Sequence, residues 1–381
     1  MSNNTEKNLS SPVVEPCIIV SHWTTAMARA WLLPALALSL GCATGHSPGV
    51  SETTQKSAIE ESSPDVETSA PEQGDATSLE EDATRNESEN ENESVVHTGE
   101  LLKETNLAYT PPSGVNGEMA TLDITWLDDG VTKPLVVLVH GGSWVGGDKS
   151  NFESAAPAFI PWWLDRGYAV ASVNFRLASK LGTPKNVLPT DQVSDIAHAI
   201  AWLHAQRDTF SILPDQIVLV GYSSGAHLVA LLGADGTYLE EAGVEETILR
   251  ATVSLDVHVY DVPYALELMV GTDVEQNIPL INHLFGETEE EQLTGSPIHH
   301  IDGWVAPTLI VSVDEDPAVT GSYGHIVSEA AKNYVSALAE KGHVAQAFHD
   351  ITESHTTLAT GFGMDGDAVT GTVDTFLNGL P

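Results

Sequence analysis

Sulfur is scarce in this chain. Among 381 residues there are two cysteines, Cys17 and Cys42, both in the first tenth of the sequence. They cannot form a disulfide framework or a cysteine-built metal site. Beyond Cys42 there are no thiols, a pattern compatible with an oxidising compartment. Positive charge is also thin: 15 Lys and Arg stand against 54 Asp and Glu, a net charge of -39. Phosphate backbones are held by cations, so this balance argues against a nucleic-acid partner. No apolar run is long enough to span a bilayer comfortably. The best, within Met27 to Cys42, has about a dozen residues after Arg29 and suits the core of a signal peptide.

What is present divides into three parts. Residues 1–42 read as a leader that ends at Gly41-Cys42, which resembles a bacterial lipoprotein cleavage site; the resemblance implies lipidation at Cys42 and an exported chain anchored to a membrane. An ordinary secretory signal with a bystander cysteine is the alternative. Because residues 1–26 are polar, either translation starts at Met27 or the leader is unusually long. Residues 43–105 are rich in Ser, Thr, Glu, Asp, Asn and Pro, and Glu87 to Glu93 is nearly all charge and amide. Too little apolar surface exists there to offset ordering entropy, so a disordered acidic linker is expected. Residues 106–381 read as the folded domain.

The domain is organised around Ile217 to Leu232. Val218-Leu219-Val220 has the continuous β-branched character of a strand buried on both faces. Gly221-Tyr222-Ser223-Ser224-Gly225 follows, and then a helix former from Ala226 onward. A nucleophilic serine must stand clear of the sheet, so Ser223 is expected at a tight, strained apex with small residues on either side. The amide of Ser224 opens a helix, where donors favour negative charge.

Glu118 to Trp126 alternates and reads as an antiparallel edge strand, and Leu135 to Val139 as a buried one. The latter runs into His140-Gly141-Gly142-Ser143-Trp144, whose glycines leave backbone amides open to a bound carbonyl. The amides of Gly142, Ser143 and Ser224 are the candidate oxyanion hole, and His140 is expected to orient the loop. Tyr168 to Asn174 is a further strand. Arg176 is expected to pair with Asp191 or Asp195, and Asp191 to Gln206 to form an amphipathic helix. Strands alternating with helices imply parallel pairing with right-handed crossovers.

After the strand Ala251 to Leu255, residues from Asp256 to Val305 break the rhythm. Met269, Tyr260, Tyr264, Leu280, Leu284, Phe285 and Trp304 in that insertion are either a substrate pocket or the insertion's own core. The strand Pro307 to Val313 delivers Asp314 and Asp316, of which Asp316, ahead of Pro317, is the expected acid of a triad. A calcium-binding cluster is the competing reading of these acids. His355, in the loop after the last strand, is the expected base, and His349 belongs to the strand pattern.

The order Ser223, Asp316, His355 is that of the α/β-hydrolases. From about residue 115 onward the chain resembles that fold, and within it the esterases with His-Gly-Gly before the oxyanion hole. The resemblance rests on His140 to Trp144 with Gly146 to Lys149, on Asn174-Phe175-Arg176-Leu177, on Gly221 to Leu228 and on Ser296-Pro297-Ile298. The departures are Tyr222, standing where these relatives have histidine, and Ser224-Gly225-Ala226, standing where they have Ala-Gly-Gly. The resemblance implies an α/β fold with a mostly parallel twisted sheet, helices on both faces and a cap insertion after the sixth strand. It points to feruloyl-esterase-like enzymes, carboxylesterases and kynurenine-formamidase-like enzymes. The expected activity is hydrolysis of short-chain or aryl esters through an acyl-enzyme, with no cofactor or metal. An arylformamidase or amidase on the same triad, and a non-catalytic surface-anchored binding protein, are the alternatives.

Overall fold

The structure is a computed structural model, which describes residues 19–20, 99–110, 117–314 and 320–381. Apart from Ile19–Val20, the leader with Cys42, the linker up to residue 98 and Asp316 lie outside the described residues.

Eight principal strands form one sheet: β1 (Glu100–Ala108), β2 (Thr121–Asp128), β3 (Lys133–Val139), β4 (Ala169–Val173), β5 (Ile212–Tyr222), β6 (Leu249–Leu255), β7 (Thr308–Val313) and β8 (Ala345–Asp350). Their spatial order is β1-β2-β4-β3-β5-β6-β7-β8, and the two-residue segment Ile19–Val20 pairs parallel to β8. β1 and β2, and β2 and β4, pair antiparallel; every pairing from β4 to β8 is parallel. This is the expected α/β architecture.

Two expectations at its N-terminal side are corrected. β2 is not the edge strand, because β1 covers it. The sheet also begins at Glu100, inside the stretch that composition assigned to the linker. β1 is polar because it is an edge exposed along most of its length, so it resembles linker in composition while pairing from Glu100↔Asp128 to Ala108↔Thr121. Charged edges of this kind also discourage pairing with other chains.

The parallel strands are buried on both faces, with period-2 alternation dividing their side chains between two cores. Leu135, Val137, Ile217 and Leu219 face one core, which takes in helices α2 (Pro189–Ala205), α3 (Ser224–Ala234) and α7 (Tyr323–Glu340). Val136, Leu138, Val218 and Val220 face the other, with α1 (Phe159–Asp165) and α9 (Ala368–Asn378). Every residue of α3 is buried, since the cap covers the side turned away from the sheet. The cap follows β6 as expected and contains α4 (Val262–Met269), α5 (Ile278–Phe285) and α6 (Glu289–Thr294).

Register brings the site together. Val139 of β3 lies beside Gly221 of β5, Tyr222 beside Leu255 of β6, and Val313 of β7 beside Asp350 of β8. The loops leaving these strands therefore open at one edge of the sheet, where a parallel α/β fold places its ligands.

Candidate active site

The elbow follows from local sterics. Ser223 has φ 57° and ψ -125°, a strained conformation for a residue with a Cβ. A Cβ at Gly221 would overlap the Gly225 carbonyl, and one at Gly225 the carbonyl of Val139. Strand β5, helix α3 and strand β3 therefore approach as closely as they do only because both positions are glycine. Ser223 N donates to Leu255 O at 2.9 Å, which ties the apex to β6.

His355 is the first residue of α8 (His355–Gly361), which Ser354 caps by accepting from Thr357 N. Its Nε2 lies 3.1 Å from Ser223 Oγ. Its Nδ1 lies 2.5 Å from a carboxylate oxygen, Oδ2 of Asp256. The sequence expectation had Asp316 at this position. Asp256 is fully buried immediately after β6, with φ 62°. Its amide donates to Val311 O at 2.8 Å, and its Oδ1 accepts from Val313 N at 3.0 Å. Its Oδ2 also faces the Tyr323 hydroxyl at 3.3 Å. The reason for the difference is register. Tyr222 pairs with Leu255, so the next residues out, Ser223 and Asp256, emerge side by side at the rim. The signal available in the sequence was an acid directly after a buried strand, which Asp256 meets as well as Asp314 does. The Asp314 amide donates to Glu353 O at 2.8 Å, and Asp314 has φ 82°.

With Nδ1–H donated to Asp256, the Nε2 lone pair faces the serine hydroxyl, the tautomer a general base needs. The ring of Tyr222 stacks on His355 at 4.9 Å with 27° between planes, and the Tyr222 hydroxyl donates to His355 O at 2.5 Å. Tyr323 meets the imidazole edge-on at 6.0 Å.

The loop after β3 is held at both ends. Gly142, Ser143 and Trp144 all have positive φ, at 133°, 54° and 63°. The Gly142 carbonyl accepts from Val145 N and Gly146 N, so the loop curls back on itself and Gly141 packs against Ser223. His140 is buried and stacks on Phe175 at 4.4 Å, a structural role as expected. Burial lowers its pKa. Lys149 N donates to Asn174 Oδ1 at 2.7 Å, and Asn174 Nδ2 to Asp148 Oδ2 at 3.0 Å. Burial raises the Asp148 pKa, but hydrogen bonds from Ser150 and Asn174 outweigh it and bring the group down to about 2. The Trp144 carbonyl accepts from Ala178 N and from Gln192 Nε2. Arg176 completes this support: Nε and Nη2 both bond Asp195, which is the closer of its two expected partners.

His227 links the loop to the cap. It is fully buried, accepts at Nδ1 from Trp144 Nε1 (3.3 Å) and donates from Nε2 to Gly295 O (2.7 Å). Burial brings its pKa down to about 4, so the ring is neutral and the bridge keeps one tautomer. His349 is buried between strands with Nδ1 2.8 Å from Ser312 Oγ, away from the base position.

A cavity of about 260 Å³ adjoins the elbow, lined by Gly141, Gly142 and Tyr222 on the catalytic side and by Phe152, Ala156 and Ala359 among its apolar walls. The cap does not line it. Tyr260, Met269, Leu284 and Phe285 are buried in the core, with Tyr260 stacked on Tyr334 at 5.1 Å. Tyr264, Leu280 and Trp304 are partly buried. Of the two readings left open for these residues, the insertion's own core is the one observed for the buried four. Among the described residues no group of three or more His, Cys, Asp or Glu is placed to hold a metal.

A family model described as BD-FAE matches residues 122–330. Among curated proteins, the chain is 24% identical over 250 residues to "Esterase LipQ" of Mycobacterium tuberculosis, covering 62% of this chain and 56% of that one. It is 26% identical over 219 residues to "Probable carboxylic ester hydrolase LipM" of the same organism, covering 54% and 47%. The chain thus spans about half the length of these relatives. Among solved structures, esterase B from Lactobacillus rhamnosis aligns with a TM-score of 0.53 at 17% identity, over 72% of this chain and 85% of that one. A truncated carbohydrate esterase from gut microbiota aligns with a TM-score of 0.54 at 21% identity, over 74% and 97%. At these identities the structural matches speak to the fold alone.

Proposed function

The chain belongs to the BD-FAE family of α/β-hydrolases, and from that premise we propose that it is a serine carboxylic ester hydrolase that works through an acyl-enzyme. The observation that carries the proposal is the unbroken line Ser223 Oγ, His355 Nε2, His355 Nδ1, Asp256 Oδ2, with contacts of 3.1 and 2.5 Å. Asp256 takes the role first expected of Asp316.

In the first half-reaction His355 Nε2 accepts the Ser223 proton as Oγ bonds the ester carbonyl carbon. The carbonyl oxygen becomes an oxyanion held by the amides of Gly142, Ser143 and Ser224; one such donor is typically worth about 3–4 kcal/mol. The Ser224 amide adds the N-terminal end of α3. Asp256 stabilises the imidazolium that forms and stays ionised. The C–O bond to the alcohol then breaks, and His355 returns the proton to the departing oxygen. Water repeats the sequence on the acyl-enzyme, which releases the acid and restores Ser223.

The cavity beside the elbow supports the substrate side of the reading. Its volume of about 260 Å³ equals the share of roughly nine waters in the liquid. Short-chain or single-ring aryl groups suit such a space. The test is hydrolysis of p-nitrophenyl acetate, butyrate and octanoate by the purified chain and by Ser223→Ala. Activity that falls at least a thousandfold in the variant and fades toward octanoate supports the reading. Equal rates in the two proteins defeat it and direct the search to formamides such as N-formylkynurenine. Export and lipidation at Cys42 are a separate proposal, checked by metabolic labelling with a palmitate analogue and its loss in Cys42→Ser.

A further inference from the structure

Tyr222 is one of the positions at which the elbow departs from the His-Gly-Gly esterases it resembles, and it touches His355 twice. Its hydroxyl donates to the His355 carbonyl oxygen at 2.5 Å, and its ring lies 4.9 Å from the imidazole with 27° between planes. Tyr222 is also bonded directly to Ser223. The two residues whose separation decides proton transfer are therefore tied through one side chain, in addition to their own 3.1 Å contact.

We propose that Tyr222 is a positioning residue that holds the His355 ring at the serine through its hydroxyl and stabilises the imidazolium through its ring face. The proposal rests on the serine-esterase reading. The two parts act at different moments. The hydroxyl tie restrains the start of α8, so the imidazole stays in place while it takes the proton from Ser223 and passes it to the alcohol. Such restraint matters because small misplacements of a base are costly in rate. The ring face matters only once His355 is charged: an aromatic face attracts a cation and is nearly indifferent to a neutral imidazole. Charged imidazole exists on the path to the tetrahedral intermediate, so this contribution lowers the barrier without tightening substrate binding.

Other titratable groups face His355. Asp256 and His258 approach from the end of β6, and Tyr323 from the start of α7. Exchanging Tyr222 for Phe or Leu changes the charge of none of them. Burial, aided by the Asp256 charge, raises the Tyr222 hydroxyl pKa above its ordinary value, so the phenol stays neutral across the working range.

The experiment is the pH profile of kcat and kcat/KM for p-nitrophenyl butyrate hydrolysis by the full chain, Tyr222→Phe and Tyr222→Leu. Tyr222→Phe loses the tie and keeps the face. It is expected to lower kcat about fivefold to tenfold with KM within twofold and the acid limb unmoved. Tyr222→Leu loses both, so its acid limb of kcat/KM moves down by about half to one unit. A kcat unchanged in Tyr222→Phe, or an effect confined to KM in both variants, overturns the proposal and leaves Tyr222 as a wall of the cavity. If Tyr222→Leu does not fold, the split between kcat and KM in Tyr222→Phe decides alone. Failure of the esterase reading is distinguishable, because wild type itself is then inactive and is not labelled at Ser223 by a fluorophosphonate.

Discussion

Replacing Asp256 by Asn separates the two candidate acids most sharply. The side chain is isosteric, and its amide oxygen can still accept from Val313 N, now at 3.0 Å from Oδ1. Packing should therefore survive. What changes is the oxygen 2.5 Å from His355 Nδ1. If the Asn amide group turns its NH₂ that way, two donors face each other, and the imidazole escapes by moving its proton to Nε2. In that tautomer it cannot accept from Ser223. If the oxygen stays, the imidazolium still loses its compensating charge in a buried site. Either loss is expected to lower kcat by about 10³–10⁴ at neutral pH, equivalent to about 4–5.5 kcal/mol. The assay is kcat for p-nitrophenyl butyrate, with circular dichroism to confirm folding and Asp316→Asn as control. An Asp256→Asn enzyme within tenfold of wild type, or a thousandfold loss in Asp316→Asn instead, refutes the reasoning.

Three further outcomes follow from the same geometry. Burial disfavours the charged form of His227 and brings its pKa down to about 4 from the ordinary 6.5; the unfolded chain thus binds a proton that the native one refuses, and stability present above pH 6.5 is lost as pH falls toward 4, by up to about 3 kcal/mol. An NMR titration of His227 with a midpoint at 6 or above contradicts this, as does a urea midpoint that does not fall between pH 7 and 4.5. Ala359→Leu pushes a larger side chain into the cavity wall, so kcat/KM for butyrate should drop about tenfold relative to acetate, and an unchanged ratio removes the cavity from the substrate path. Asp195→Ala strands the Arg176 guanidinium beside a fully buried position and should cost about 3–5 kcal/mol in urea unfolding, whereas a loss under 1 kcal/mol means that the pair is incidental.

Much of the site is legible in the sequence because short-range sterics dictate it. Gly221 and Gly225 are demanded by backbone contact, Gly142 by its positive φ, and Ser223 by the apex between them. His355 is legible because the last strand is, and a histidine in the loop that leaves it arrives at the rim. The acid is not legible in this way. Two strands, β6 and β7, are each followed directly by an aspartate, and only the three-dimensional register decides which carboxylate reaches Nδ1. Tyr222 was visible as a departure, but its bond to the His355 carbonyl spans 133 positions in the chain and leaves no local trace. The first strand was hidden for another reason: an exposed edge needs no hydrophobic period, so β1 merges with the acidic stretch before it. The cap's aromatic residues show the limit of composition, since a buried core and a substrate pocket call for the same side chains.

The most direct test of the central claim is intact-mass spectrometry of the chain after reaction with a fluorophosphonate, followed by peptide mapping. The account predicts one phosphonyl group per chain, on Ser223, with labelling slowed at least a hundredfold in His355→Ala. Labelling on another residue, or none at all in a folded and monodisperse sample, contradicts it.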